Sequence, residues 1–317
     1  MLRCWAKKLA VVLATGYVLF CYSERVFWSF LRPGDKGADF VFGWLVYSLI
    51  AWVFLLLVRR CRIATFPALF LAGAVFGWLA EGVVVDTLYG NADNSFPISI
   101  SFTGLAWHAL ISVGIGWYGQ AKVLISGNRG KIALYSVAVG LGWGLWAGWW
   151  PAELGNAKSS LAAFAGHTLA SSFFLILSWV GLGVSRSEWF RPVKWELPVL
   201  AAIIAIFYLV IRLPATPRSA LILPPLLLLC AYGLQRNQQQ EQRPDLLETV
   251  LGRISPRSCL PLFLIPLTAI GVYAPVPTWE LTLPTNWVLY VITMPLGFFF
   301  FIRSLWLLLR PQRGKES

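Results

Sequence analysis

Phe66–Val85, FPALFLAGAVFGWLAEGVVV, is an apolar run interrupted by one charge, Glu81. As a helix of about 1.5 Å rise per residue it matches the roughly 30 Å hydrocarbon core of a bilayer. A second run, Ile132–Pro151, IALYSVAVGLGWGLWAGWWP, has the same build. Both carry glycines at four-residue spacing, Gly73 and Gly77 in the first, Gly140, Gly144 and Gly148 in the second. Such spacing lets membrane helices approach closely. Each run is followed by a second apolar segment containing one of the chain's two histidines, His108 and His167. The strings LAWHALIS (105–112) and FAGHTLAS (164–171) share Ala, His, Leu and Ser at matching places. Residues 66–118 and 132–184 therefore read as two helical hairpins of related construction.

The rest of the chain follows the same rule. Of 317 residues, 13% are charged, about half of what a soluble domain uses to cover its surface, and mean hydropathy is +0.68. The fold expected is an all-α polytopic integral membrane protein of about ten helices: 9–31, 38–58, 66–85, 98–118, 132–151, 161–184, 197–213, 219–234, 259–276 and 285–309. The seventh is short and the eighth contains Pro224 and Pro225, so either can be kinked or re-entrant. Residues 1–234 form a core of eight spans, 235–258 a polar cytoplasmic loop with an amphipathic helix (stripe Leu246, Leu247, Val250, Leu251, Ile254), and 259–317 the last two spans with a basic tail.

Charge then orients the spans. With ten crossings, the loops on the side of the termini hold nineteen of the 26 Lys and Arg residues, the opposite loops five (Arg32, Lys36, Lys158, Arg212, Arg218) and the spans two (Arg25, Arg303). This asymmetry predicts cytoplasmic termini in a bacterial inner membrane or its equivalent. The same scatter of short basic clusters between apolar runs accounts for the net charge of +12 by contacts with membrane lipids and points away from a nucleic-acid partner. The five cysteines show no CxxC spacing and read as single packing thiols.

In that topology the uncommon polar groups gather between the mid-plane and the outer surface: Glu24 and Arg25, Glu81, His108, Glu153 and His167. Ionisable groups inside a membrane mark functional sites. Glu81, His108, Glu153 and His167 are thus the candidate catalytic residues, a carboxylate orienting a histidine that serves as general base. The same four suit a divalent metal ion, with nitrogen and carboxylate oxygen as ligands. Bis-imidazole haem is the weaker alternative, since the two histidines differ in depth by roughly 6 Å along their helices. Glu24, Arg25, Asp86, Trp78 and Trp107 are candidate substrate contacts, Arg25 for an anionic head and the tryptophans, with Trp143, Trp149 and Trp150, for an amphipathic wall. The loop holding Asn91, Asp93, Asn94 and Ser95 is a further candidate, against a plain outer turn. No HExxH, CxxCH, GxSxG or phosphate-binding glycine loop occurs.

The function expected is an integral membrane enzyme whose site opens outward and acts on a lipid, isoprenoid or lipid-linked substrate. Two alternatives stand beside it: a carrier of a proton-coupled or anionic solute, and a structural or assembly subunit whose buried polar groups satisfy one another.

Overall fold

The computed structural model describes residues 2–26, 36–90, 95–153, 155, 157–278 and 283–310. The chain is an all-α polytopic membrane protein, 83% helical, with no strand among the described residues. Ten of its helices are long and apolar enough to cross a bilayer: α1 (Arg3–Arg25), α2 (Gly37–Arg60), α3 (Phe66–Val84), α4 (Ser99–Ile125), α5 (Arg129–Pro151), α6 (Leu161–Val184), α7 (Glu196–Ala215), α8 (Ser219–Gln240), α9 (Pro256–Tyr273) and α10 (Thr285–Leu309). These are the ten spans expected from apolar length. Helix α8 runs unbroken through Pro224 and Pro225 and continues over the glutamine-rich tract to Gln240, where a surface loop was expected to begin at 235. Neighbouring helices tolerate membrane prolines, and Gln is a good helix former that needs no apolar partner.

The chain forms two compact units, Met1–Trp52 with Ile111–Arg191 and Leu247–Ile292, and Val53–Leu110 with Pro192–Leu246 and Thr293–Ser317. In the first unit the glycine stripe of α5 lies against α9. A Cβ on Gly140 would stand 2.5 Å from the Ile265 carbonyl oxygen, and one on Gly144 would stand 2.6 Å from that of Ala269. Gly142, two residues away, faces open space. Gly144→Ala is therefore expected to cost about 1–3 kcal/mol through overpacking, while Gly142→Ala is neutral. Thermal unfolding of the two variants in detergent checks the contrast.

In the second unit α3 and α4 meet just as closely, a Cβ on Gly77 falling 2.2 Å from the Gly104 oxygen. Helix α10 joins them through Phe301, edge-on to Trp78 at 5.2 Å, and through Ser101, whose hydroxyl donates to the Met294 carbonyl. The loops expected to share a membrane side meet inside each unit. Lys8 donates to the Arg191 carbonyl between the Trp5 and Phe190 rings. Arg59 pairs with Asp245 at 2.8 Å, and Asn237 donates to the carbonyls of Cys61 and Arg62. The other ends meet likewise. Arg212 donates to the carbonyls of Val83 and Val84, and the Tyr273 hydroxyl to that of Ser159. The alternation of ten crossings is thereby internally consistent.

The stripe from Leu246 to Ile254 forms only a five-residue helix, Leu246–Val250, and all five of its apolar residues are buried in protein. The stripe was expected to lie along the interface, against lipid. Instead the Gly252 N–H donates to the Leu182 carbonyl and Gly183 of α6 lies against Ile254; bare glycine lets the backbones touch, and the apolar side chains gain protein neighbours.

Candidate functional site

Four spans, α1, α3, α4 and α7, change their winding where uncommon polar residues sit. Cys21–Arg25, Ala80–Val84, Phe102–Gly119 and Tyr208–Arg212 are π-helical, with i→i+5 bonds such as Val26 N–H to Cys21 O and Val85 N–H to Ala80 O. They contain Glu24 and Arg25, Glu81, His108, and Tyr208 and Arg212 respectively. A wider turn interrupts the ladder and re-aims side chains, and such bulges recur at functional sites.

In the first unit Arg25 is the centre. Its Nη2 donates to His167 Nδ1 at 2.8 Å, its Nε to the Ser171 hydroxyl at 3.1 Å, and its guanidinium lies 3.9 Å from the centre of the Phe40 ring. His167 Nε2 in turn donates to the Arg25 carbonyl at 3.0 Å. A guanidinium only donates, so Nδ1 accepts, and the imidazole is neutral with its proton on Nε2. Adjacent Glu24 projects elsewhere and accepts from the Tyr47 hydroxyl at 2.7 Å. Arg25 lines a cavity of about 400 Å³ between α1, α2 and α6, walled by Tyr17, Phe20, Trp44 and Phe174. Among the described residues lining it, Arg25 is the one charged group.

In the second unit Glu81 and His108 form a dyad, with His108 Nε2 at 2.6 Å from Glu81 Oε1. They are 8% and 2% exposed. The Thr87 hydroxyl donates to the other carboxylate oxygen, and the His108 ring stands edge-on to Phe76 at 5.8 Å. The neighbouring Tyr89 hydroxyl donates to the Gly82 carbonyl, and burial pushes its phenol well up, so that it stays a donor.

The two hairpins repeat one contact. Phe76, just before Gly77, meets His108 at 5.8 Å and 77°; Trp143, just before Gly144, meets His167 at 5.9 Å and 79°. Their polar partners differ. His108 faces a carboxylate from its own hairpin, His167 a guanidinium from α1.

The remaining candidates are placed as follows. Glu153 accepts from the Thr285 hydroxyl at 2.8 Å and the Asn286 N–H at 2.9 Å, so it caps the start of α10. Glu153→Ala is expected to cost about 1 kcal/mol and to leave ligand binding unchanged, as thermal unfolding beside a binding assay will show. Asp86 is exposed, 3.5 Å from Arg212. Trp78 and Trp107 are buried, Trp78 donating to the Ile100 carbonyl; both pack, as do Trp143, Trp149 and Trp150. Asn91, Asp93 and Asn94 lie outside the described residues, and Ser95 is exposed.

The four-residue metal set does not fit. Both His167 nitrogens are engaged by Arg25 and Glu153 is spent on α10, which removes a lone pair and a carboxylate from the donor set. The same engagement of His167 excludes it as a haem ligand. Among the described residues no three His, Cys, Asp or Glu side chains are grouped to hold a metal ion.

The fold and these sites define a polytopic helical membrane protein with an arginine-lined cavity in one unit and a buried Glu–His dyad in the other. Comparison with protein-family models, curated proteins and solved structures finds no match.

Proposed function

We propose that this protein handles lipids: it takes the anionic head of a lipid, isoprenoid or lipid-linked molecule at Arg25, with the apolar chain along Phe20, Trp44 and Phe174. The observation that carries this reading is one guanidinium, oriented by His167 and Ser171, as the one charged group among the described residues lining a mostly apolar cavity. A guanidinium at the wall of a cavity within the membrane spans presents a planar set of N–H donors suited to an anion. An anionic head at the arginine fork gains charge-assisted hydrogen bonds. His167 acts here as a positioning residue, since neither nitrogen is left to take a proton from substrate.

A second reading, an acid–base centre acting on such a substrate class, is favoured by the Glu81–His108 distance of 2.6 Å. A carboxylate that fixes the imidazole and its tautomer is the arrangement general-base chemistry uses.

The binding reading is tested with the full chain in mixed nanodiscs of phosphatidylglycerol and phosphatidylcholine, followed by native mass spectrometry of the retained lipid. Preferential retention of the anionic lipid that persists in high salt supports it. Equal retention of both lipids, or a preference that salt abolishes, overturns it, because peripheral basic clusters alone are screened within a Debye length.

A further inference from the structure

The Glu81–His108 dyad is buried, but the hydrogen bonds around it lead towards the surface. Glu81 lies in the π-helical turn Ala80–Val84 that ends α3, and the connection to α4 folds back so that the Thr87 hydroxyl, six residues on, donates to Glu81 Oε2. The other carboxylate oxygen, Oε1, meets His108 Nε2 at 2.6 Å. Thr87, Glu81 and His108 are thus links of one hydrogen-bonded chain with the carboxylate in the middle. Exposure falls along it. The Asp86 side chain, next to Thr87, is 60% exposed, Thr87 is half-buried, and the side chains of Glu81 and His108 are 11% and 2% exposed.

The fold holds this mouth in place. Arg212 of α7 donates to the carbonyls of Val83 and Val84 and stands 3.5 Å from Asp86. The Tyr89 hydroxyl donates to the Gly82 carbonyl, and the Ser99 hydroxyl to that of Leu88. Facing this end of the dyad from the surrounding elements are therefore Asp86 and Tyr89 of the connection and Arg212 of α7, with Tyr208 close to Tyr89. In the other direction α3 offers no such chain: from Phe66 to Ala80 its one hydrogen-bonding side chain is Trp78, whose N–H goes to the Ile100 carbonyl.

We propose that the dyad exchanges its proton with the membrane face that carries Asp86, with Thr87 as the relay. On uptake, a hydronium at the mouth gives a proton to Thr87 Oγ1 while the hydroxyl passes its own proton to Glu81 Oε2. The carboxylate becomes the acid and keeps its bond to His108 Nε2. On release the acid returns its proton to Oγ1, the hydroxyl gives one to water, and the threonine ends unchanged. A proton that reaches Glu81 from His108 arrives at Oε1, and turning of the carboxyl brings it to the Thr87 side. The use of this route, discharge of the proton that a general base takes from substrate, rests on the acid–base reading of the dyad; the route itself does not.

The test is a one-sided pH step on the full chain in proteoliposomes, sorted through a carboxy-terminal tag so that every copy faces the same way. The readout is the infrared carboxyl band of Glu81, identified by its loss in Glu81→Gln. The wild-type band is expected to follow a step on the face carrying Asp86 faster than a step on the opposite face. Thr87→Val keeps the shape of the side chain and removes the hydroxyl; it should slow the response about tenfold, the worth of one hydrogen bond in a rate. Thr87→Ser returns the hydroxyl and should restore the response, which a packing role of the threonine methyl would not. A band that answers as fast or faster from the opposite face, or to neither face, overturns the proposal. So does Thr87→Val protein responding at the wild-type rate, or Thr87→Ser protein as slow as Thr87→Val. The acid–base reading is decided separately, by turnover of lipid substrate in Glu81→Gln: wild-type turnover there ends that reading and leaves the proton route standing.

Discussion

Arg25→Gln is expected to lower the affinity for an anionic amphiphile about 30-fold, on the order of 2 kcal/mol, the worth of a charge-assisted hydrogen bond. The loss should be nearly independent of salt, because the guanidinium sits against Phe40 and His167 inside the cavity wall and not on the screened surface. Arg25→Lys is expected to recover only part of it, since an ammonium keeps the charge but not the planar fork that meets His167, Ser171 and a ligand together. His167 provides the sharper control. His167→Phe removes the acceptor that aims Nη2 and should weaken binding several-fold without touching the ligand. His167→Gln can accept from Arg25 and donate back to its carbonyl, as the imidazole does, and should restore most of the affinity. Titration with phosphatidylglycerol and with phosphatidylcholine checks all four variants; equal affinity of Arg25→Gln and wild type for the anionic lipid would remove Arg25 from the site.

Which residues meet was legible in the sequence only where the partners lie in one hairpin. The pairing of Glu81 with His108 follows from a carboxylate at one end of α3 and a histidine on the next span, a separation of 27 residues. The contact of Arg25 with His167 crosses 142 residues, and shared depth in a membrane does not tell which helices are neighbours. Glu153 was legible as an uncommon carboxylate, but its task is set by the start of α10, 133 residues on at Asn286. The spans themselves were readable because bilayer thickness imposes a length and an apolar composition on each. The glycine stripe of α5 announced close packing without naming α9 as the partner. Tyr208 gave no signal at all: a tyrosine in an apolar run reads as an interfacial ring, and only the packing around it shows a buried hydroxyl with no hydrogen-bond partner among the described residues.

Glu81→Leu is expected to destabilise the protein by about 3 kcal/mol, the cost of removing one partner from a buried, hydrogen-bonded pair. His108 is held in place from behind, its Cβ standing 2.8 Å from where a Cβ on Gly77 would be and its ring edge-on to Phe76, so the imidazole has no room to swing away. His108→Leu should cost a similar amount, because Glu81 would lose the imidazole that faces Oε1 and keep only threonine hydroxyls, Thr87 among them, for its charge. The double variant Glu81→Leu with His108→Leu should regain much of the stability, since apolar groups replacing both members remove the stranded ionisable partner and leave only hydroxyls such as that of Thr87 to find another acceptor. A coupling energy of about 1–3 kcal/mol from the cycle, measured by thermal unfolding in detergent, is the signature of the dyad; additive single losses would show that each residue merely packs. Glu81→Gln separates structure from chemistry. Its amide oxygen still accepts from His108 Nε2, so the fold survives, but the imidazole loses the carboxylate that would stabilise it on taking a proton. An acid–base centre at His108 therefore predicts that Glu81→Gln unfolds close to the wild-type temperature and turns over lipid substrate at least 100-fold more slowly, whereas a purely structural dyad predicts wild-type turnover in the same variant.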